Sequence, residues 1–393
     1  MPADDLRSRD FQNILLIKLS ALGDVVHTFP LLNKLRRRYP KARVDWLVAS
    51  DLAELVRDNP AIADVIEFPR EEWSTPWRWA PYVSAARLIA RLRAAQYDLV
   101  LDLQGQLRSA IFTFASGAPV RIGFDKPRKD VWKTLAREIP EEAKKHAWRG
   151  AREGSWLAYT HHIALPTLDV HPVERYLGVT PLIGLDDAAP DFSFPIPPEA
   201  TTRIDALLDY YDIGKTKPLV VMAPGSNWDT KQWRRDGFAE VARHFLKKTF
   251  AVVLIGSDAE RALCEEVAKL APGAIDLAGE TTLAELAALI RRSTIAVTND
   301  SGPMHLGVAL DRPVVCIFGP TDPVWAGPYR RDAAVLRTEL PCSPCYLREL
   351  SRCIHGHACM ANVGAAAVID RVEGIVAKLP GRAKIPAAQP RQR

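Results

Sequence analysis

The strongest constraint on this chain's fold is a rhythm of short apolar runs, each ending in Gly, Ser, Asp or Pro just before a helical pattern. In the first half, NILLIKL (13–19), VDWLVAS (44–50), ADVIEF (63–68) and YDLVLDL (97–103) have the length and content of buried strands, and ARLIARLRAAQ is helical between the last two. The second half repeats the pattern with PLVVMAPGS (218–226), FAVVLIGS (250–257), AIDLAG, TIAVTND (294–300) and VVCIFGP (314–320). Strands alternating with helices form a parallel, helix-covered sheet, and its carboxyl ends line a ligand crevice. The fold class expected is therefore α/β, with one such sheet in each half.

A length of 393 residues suits two domains better than one core. The stretch DDAAPDFSFPIPPEA, rich in Pro and Asp, places a linker at 191–217 between domains at 1–190 and 218–375. A basic tail follows at 376–393, and a cleft between the two domains is the expected place for a ligand. With 48% apolar and 25% charged residues the chain is neither disordered nor fibrous. No run approaches the length needed to span a bilayer, and MPADDLRSRDFQN is not a secretory leader, so a cytoplasmic location is expected. Six cysteines in so long a chain do not make a secreted disulfide framework.

Four loops carry chemistry. Ser20-Ala21-Leu22-Gly23-Asp24 follows the first strand; Gly23 allows close approach of a ligand, and Asp24 is either a general base or a helix cap. PGSNWDTKQW (224–233) offers backbone amides and Lys231 to a diphosphate, without being a Walker A loop; the alternative is a solvated surface lysine. Asn299-Asp300-Ser301-Gly302-Pro303-Met304-His305 again turns from a strand into a helix. The amides of Ser301 and Gly302 can face phosphate oxygens, Asp300 can accept from sugar hydroxyls, and His305 alone reads as a core or capping histidine. GSDAE (256–260) ends in Glu260, which either holds a ribose or serves the first turn of a helix.

Taken together, ILLIKLSALGDVVHTFPLL, VDWLV, YDLVLDLQGQLRSA, PGSNWDTKQW, GSDAE and NDSGPMHLGVALDRPVVCIFGPTDP closely resemble glycosyltransferase family 9, the ADP-heptose:lipopolysaccharide heptosyltransferases. DLQGQLRSA, RIGFD and the histidines before HPVERYL resemble the type I form most, while the C-rich insertion leaves type II or another family-9 transfer open. The resemblance implies a GT-B architecture of two Rossmann-like domains and catalysis without a metal or other cofactor. It implies Asp24 as base, and donor binding by Ser226, Asn227, Lys231, Glu260, Thr281, Asp300, Ser301, Gly302 and His305. Asn227 departs from the hydroxyl residue common at its position. The partners implied are ADP-heptose, a Kdo-lipid A type glycolipid and the anionic inner-membrane surface; no nucleic acid is expected.

For that anionic acceptor, the first half offers Arg70, Arg78, Arg87, Arg91, Arg93, Arg108, Arg121, Lys126, Arg128 and Lys129, with Trp73, Trp77, Trp79 and Tyr82 interleaved. Gly23, Arg70, Arg108 and Arg128 are the candidate acceptor residues, and an ordinary amphipathic helix with a solvated arginine face is the alternative. Cys342, Cys345, Cys353 and Cys359, with His355 and His357 among them, have metal-ligand composition without standard ribbon spacing, so structural zinc is the lesser reading. Two rival functions share the architecture: a nucleotide-sugar epimerase, and an inactive sugar-nucleotide or lipid-binding protein.

Overall fold

Nearly every apolar run named above becomes a parallel strand. The computed structural model describes residues 5–70, 80–126, 150–165 and 170–379. Trp73, Trp77, Arg78, Trp79, Arg128, Lys129 and the tail from Pro380 onward lie outside the described residues, as does the side chain of Tyr82. The chain divides into two units, Met1–Pro195 and Ile196–Arg393.

In the first unit β1 (Asn13–Ile17), β2 (Arg43–Ala49), β3 (Asp64–Phe68), β4 (Leu99–Asp102), β5 (Val120–Phe124) and β6 (His161–Ile163) form one sheet in the order β3-β2-β1-β4-β5-β6. Every pairing is parallel, with Ile14 opposite both Val44 and Leu99. Ile14, Leu15, Leu16 and Ile17 are all fully buried, because helices cover both faces of β1 and leave no solvent side for alternation. The helix Phe29–Arg38 carries Pro30 in its first turn and three arginines in its last, matching the backbone's missing donors and the helix dipole.

The second unit contains β7 (Leu219–Ala223), β8 (Ala251–Leu254), β9 (Ile275–Asp276), β10 (Ile295–Asn299), β11 (Val314–Phe318) and β12 (Val335–Arg337), in the order β12-β11-β10-β7-β8-β9. Counted from β7, this is the strand order of the first unit, and again all pairings are parallel. Its core includes Trp233, whose indole nitrogen donates to the Val363 carbonyl at 3.0 Å and whose ring leaves no room for a Cβ at Gly237. The helix Leu283–Arg292 opens on a reciprocal cap, Thr282 accepting from the Glu285 amide and Glu285 from the Thr282 amide.

Three strands escape the sequence pattern. β5 contains Arg121 and Gly123, β6 is two histidines and an isoleucine, and β12 is a three-residue edge strand, so none presents an apolar run. The segment 191–217 holds a helix, Pro198–Tyr210, which packs on Leu283–Arg292 through buried Ala200, Ile204 and Leu208. Pro198 ends the extended, proline-rich stretch and starts that helix.

Candidate functional site

In both units the strand order reverses between the two central neighbours, β1 and β4 in the first and β7 and β10 in the second. Loops leaving such neighbours in opposite directions open a crevice at their carboxyl ends. The four loops singled out from the sequence start at or beside these points.

In the first unit the chain leaves β1 through Lys18 and a cis Ser20–Ala21 peptide, and enters the short helix Leu22–Val26. Asp24 lies in its first turn. Its Oδ2 accepts from the Ala21 amide at 3.2 Å, which is the capping role, while its Oδ1 accepts from the Tyr176 hydroxyl at 2.6 Å. The Lys18 ammonium stands 3.6 Å from Oδ2, donates to the Leu103 carbonyl at 3.2 Å and lies 4.8 Å from the centroid of the Tyr176 ring. Gly23 is buried in the same turn.

Lys18 is only 4% exposed, and burial pushes its ammonium down to about 8 although the Asp24 charge pulls the other way. Burial pushes Asp24 up, but Lys18, the Tyr176 hydrogen bond and the charge of Arg175 outweigh it and hold the carboxyl at about 2. About a third of that side chain stays open to solvent. Arg175 is itself buried, and its Nε and Nη1 have no hydrogen-bond partner among the described residues. The cluster therefore sets one carboxylate against two cations, and Asp24 is ionised at any physiological pH.

The segment DLQG supports this loop. Gln104 Oε1 accepts from the amides of Leu19 and Ser20, at 3.2 and 3.4 Å. Asp102, fully buried, accepts from the Tyr159 hydroxyl at 2.9 Å, from Thr113 at 3.1 Å and from the amides of Gln104 and Gly105. Arg70 is exposed, 4.0 Å from Asp51, and Arg108 is exposed over the Phe68 ring. Among the described residues, neither contacts the Asp24 cluster; Arg128 lies outside them.

In the second unit the loop after β7 and the loop after β10 are joined. The Ser226 hydroxyl donates to the Asp300 carbonyl at 3.3 Å, and the Asn299 side chain donates to the Pro224 carbonyl at 2.7 Å and accepts from the Trp233 amide at 3.1 Å. Lys231, at the end of the turn Asp229–Lys231, places its ammonium 2.7 Å from Asp300 Oδ2, which also accepts from Thr321 at 2.6 Å. Burial pushes the Asp300 carboxyl up, but Lys231 and Thr321 outweigh it and the net shift is downward. Lys231 also lies 4.3 Å from the centre of the Trp228 ring, with Arg348 over that ring too. It is thus a positioned charge, and the alternative of a solvated surface lysine fails.

Ser301 precedes the helix Gly302–Ala309 without a side-chain cap, its hydroxyl donating to the Asn299 carbonyl, and Pro303, the helix's second residue, has no N–H; the amides of Ser301 and Gly302 head that helix. His305 is buried within it beside Asp300, whose charge it affects. Glu260 serves the first turn of its helix, its Oε2 accepting from the amide and hydroxyl of Ser257, each at 2.8 Å, while its Oε1 lies against Gly225 and leaves no room there for a Cβ. Gly225 is what lets this acid lie against the Lys231 loop. Asn227 is exposed, and Thr281, which precedes the capping Thr282, makes no side-chain hydrogen bond among the described residues.

All six cysteines are free thiols, and among the described residues no group of three or more His, Cys, Asp or Glu is set to hold a metal ion. The Cys342–Cys359 segment packs against the loop that follows β7. The Thr230 hydroxyl donates to the Leu347 carbonyl at 2.6 Å, His357 Nε2 lies 2.7 Å from the Thr230 carbonyl, and the Tyr346 amide donates to the Pro320 carbonyl at 2.7 Å. Sequence reasoning missed Lys18, Tyr176, Arg175 and Thr321. The available signals were a lysine inside an apolar run, the segment HPVERYL and the threonine of FGPTDP.

A profile described as glycosyltransferase family 9 (heptosyltransferase) matches residues 85–147 and 135–353. The chain is 31% identical over 336 residues to lipopolysaccharide heptosyltransferase 1 of Pseudomonas aeruginosa, covering 84% of this chain and 85% of that one. Its fold is similar to that of a family 9 glycosyl transferase from Veillonella parvula, with TM-score 0.76, 22% identity, and coverage of 95% of this chain and 99% of that one. It is also similar to the E. coli heptosyltransferase WaaC solved with ADP-2-deoxy-2-fluoro heptose, with TM-score 0.68, 24% identity, and coverage of 93% and 100%.

Proposed function

We infer the reaction of this chain from its family: it belongs to glycosyltransferase family 9 and is a heptosyltransferase of lipopolysaccharide core synthesis with the GT-B fold. The reading developed from that premise is a metal-independent, inverting transfer of heptose from ADP-heptose to Kdo of a Kdo-lipid A type acceptor, performed on the cytoplasmic side of the inner membrane. The observation that carries it is the Lys231–Asp300–Thr321 cluster, which fixes a cation beside the amides that head the helix Gly302–Ala309.

In this mechanism the diphosphate of the donor meets Lys231 and the Ser301 and Gly302 amides, charges and dipoles already in place before the leaving group departs. Asp300 holds Lys231 through Oδ2, and its Oδ1, which accepts no hydrogen bond among the described residues, is the atom to accept from a sugar hydroxyl. The acceptor oxygen forms its bond to the anomeric carbon as the bond to ADP breaks, and Asp24 takes the hydroxyl proton. A carboxylate held at about 2 is a weak base toward a neutral alcohol. It suffices here, because the attacking hydroxyl becomes strongly acidic as its oxygen acquires the bond to an oxocarbenium-like carbon. Glu260, beside Gly225, is placed to accept from the ribose.

The acceptor choice follows the type 1 relative, and the test is mass spectrometry of products from ADP-heptose offered with Kdo-lipid A or with its heptosylated form. Addition of one heptose to Kdo-lipid A supports the reading. Addition only to the heptosylated acceptor replaces it with a type 2 transfer, and epimerised nucleotide sugar without transfer replaces it with the epimerase.

A further inference from the structure

The helix Leu107–Ala115 buries Ser109, Ala110, Phe112 and Thr113 and turns the rest of its side chains outward. Three of those are large and apolar: Leu107 is 50% exposed, Ile111 45% and Phe114 66%. Their spacing of four and three residues puts them on one stripe of the helix. Leu157, 80% exposed on the turn Ser155–Ala158 that packs on this helix, extends the stripe. Arg121 joins the two, donating to the Ala158 carbonyl at 2.7 Å while its guanidinium lies 5.8 Å from the centre of the Phe114 ring.

The rim is basic. Arg108 stands exposed on the same helix, and neither it nor Arg121 has a carboxylate partner among the described residues. Glu153, an acid at the start of this helix, accepts from the Leu107 amide at 3.1 Å. We propose that this stripe, Leu107, Ile111, Phe114 and Leu157 with Arg108 and Arg121 at its edge, docks the protein on an anionic lipid bilayer. A helix of nine residues is about 13 Å long, small against the roughly 20–30 residues a side of a stable protein interface. It fits the shallow burial of an amphipathic helix among lipid headgroups, where arginines meet phosphate. The helix also begins at the carboxyl edge of β4, the edge of the sheet that carries Asp24 on the neighbouring strand's loop. Docking there brings a membrane-embedded acceptor to the side of the unit that holds the base.

The inference deepens the lipid-acceptor reading and rests on it for the choice of a bilayer over other anionic surfaces. It is tested by cosedimentation of the full chain with vesicles that contain no acceptor. The wild type is expected to bind vesicles of phosphatidylethanolamine with phosphatidylglycerol, to bind phosphatidylcholine vesicles poorly, and to be released by high salt. The double variant Ile111→Ser, Phe114→Ser is expected to bind the anionic vesicles about tenfold or more weaker. Because both side chains are exposed, the variant should melt as the wild type does and turn over a delipidated, water-soluble acceptor at the same rate. Equal vesicle binding by variant and wild type overturns the proposal, as does a wild type indifferent to lipid charge. A dimer abolished by the same substitutions, without vesicle binding, reassigns the face to a second copy of the chain. Loss of turnover on the soluble acceptor reassigns it to substrate binding. Vesicle binding is read without substrates, so its failure leaves the transfer reaction standing.

Discussion

Replacing Lys18 by Met tests the electrostatics of the Asp24 cluster where a number can be attached to it. Lys18 is 4% exposed, and burial holds its ammonium at about 8 instead of its usual 10.5. A lysine whose folded pKa is depressed binds fewer protons when folded than when unfolded, so between about 8 and 10.5 stability rises with pH. The full shift corresponds to ~3 kcal/mol of destabilisation at neutral pH, of which ~1 kcal/mol remains at pH ~9.5. Relative to Lys18→Met, which keeps the length of the stem and cannot titrate, wild type should therefore gain ~2 kcal/mol between pH ~7 and ~9.5. The loss of the hydrogen bond to the Leu103 carbonyl is common to both pH values and cancels. Hydrogen exchange of peptides covering β1, corrected for the intrinsic pH dependence of exchange, reads the opening free energy of this unit without assuming that the whole chain unfolds at once. Parallel wild-type and variant values across that pH range would refute the reasoning, because they would mean that the ammonium is solvated and never opposed by burial.

Three further outcomes follow from the same geometry. Asp24→Asn should retain donor binding in calorimetry and lose about 10²–10⁴-fold in turnover, since the amide keeps the size and cannot take the proton; near-normal turnover removes Asp24 from the mechanism. Lys231→Ala should weaken ADP binding and transfer together and lower the melting temperature, because it leaves the buried Asp300 carboxylate without its cation, a loss of ~3 kcal/mol or more; unchanged ADP affinity contradicts the placement of Lys231. Gly225→Ala should weaken ADP-heptose binding while the protein stays folded, because a Cβ 2.0 Å from Glu260 Oε1 pushes that side chain off the loop; binding equal to wild type would separate Glu260 from the donor.

The strand runs and their flanking Gly, Ser, Asp and Pro were sufficient to read an α/β chain of two parallel sheets. A fully buried strand such as β1 must be apolar on both faces, and few other elements look like it. That the loops after β7 and β10 carry charge was legible for a related reason: small residues, an acid and a lysine end those strands, and the fold joins them through Lys231 and Asp300. β5, β6 and β12 were not legible, since short strands that carry Arg121, His161, His162 or Arg337 are recruited by the neighbours they pair with and not by their own composition. Nor could the chain order show that Tyr176, 152 residues after Asp24, donates to its carboxylate, or that Lys18 sits inside the sheet's edge at 3.6 Å from the same group. The cysteine-rich segment needed the fold for the same reason: its packing ties Leu347 and His357 to Thr230 beside Lys231, contacts that composition does not show. Sequence determined which chemical groups end each strand, because burial dictates the strands. Only tertiary structure decided their charges and partners, because burial and the distance to an opposite charge are properties of the folded chain.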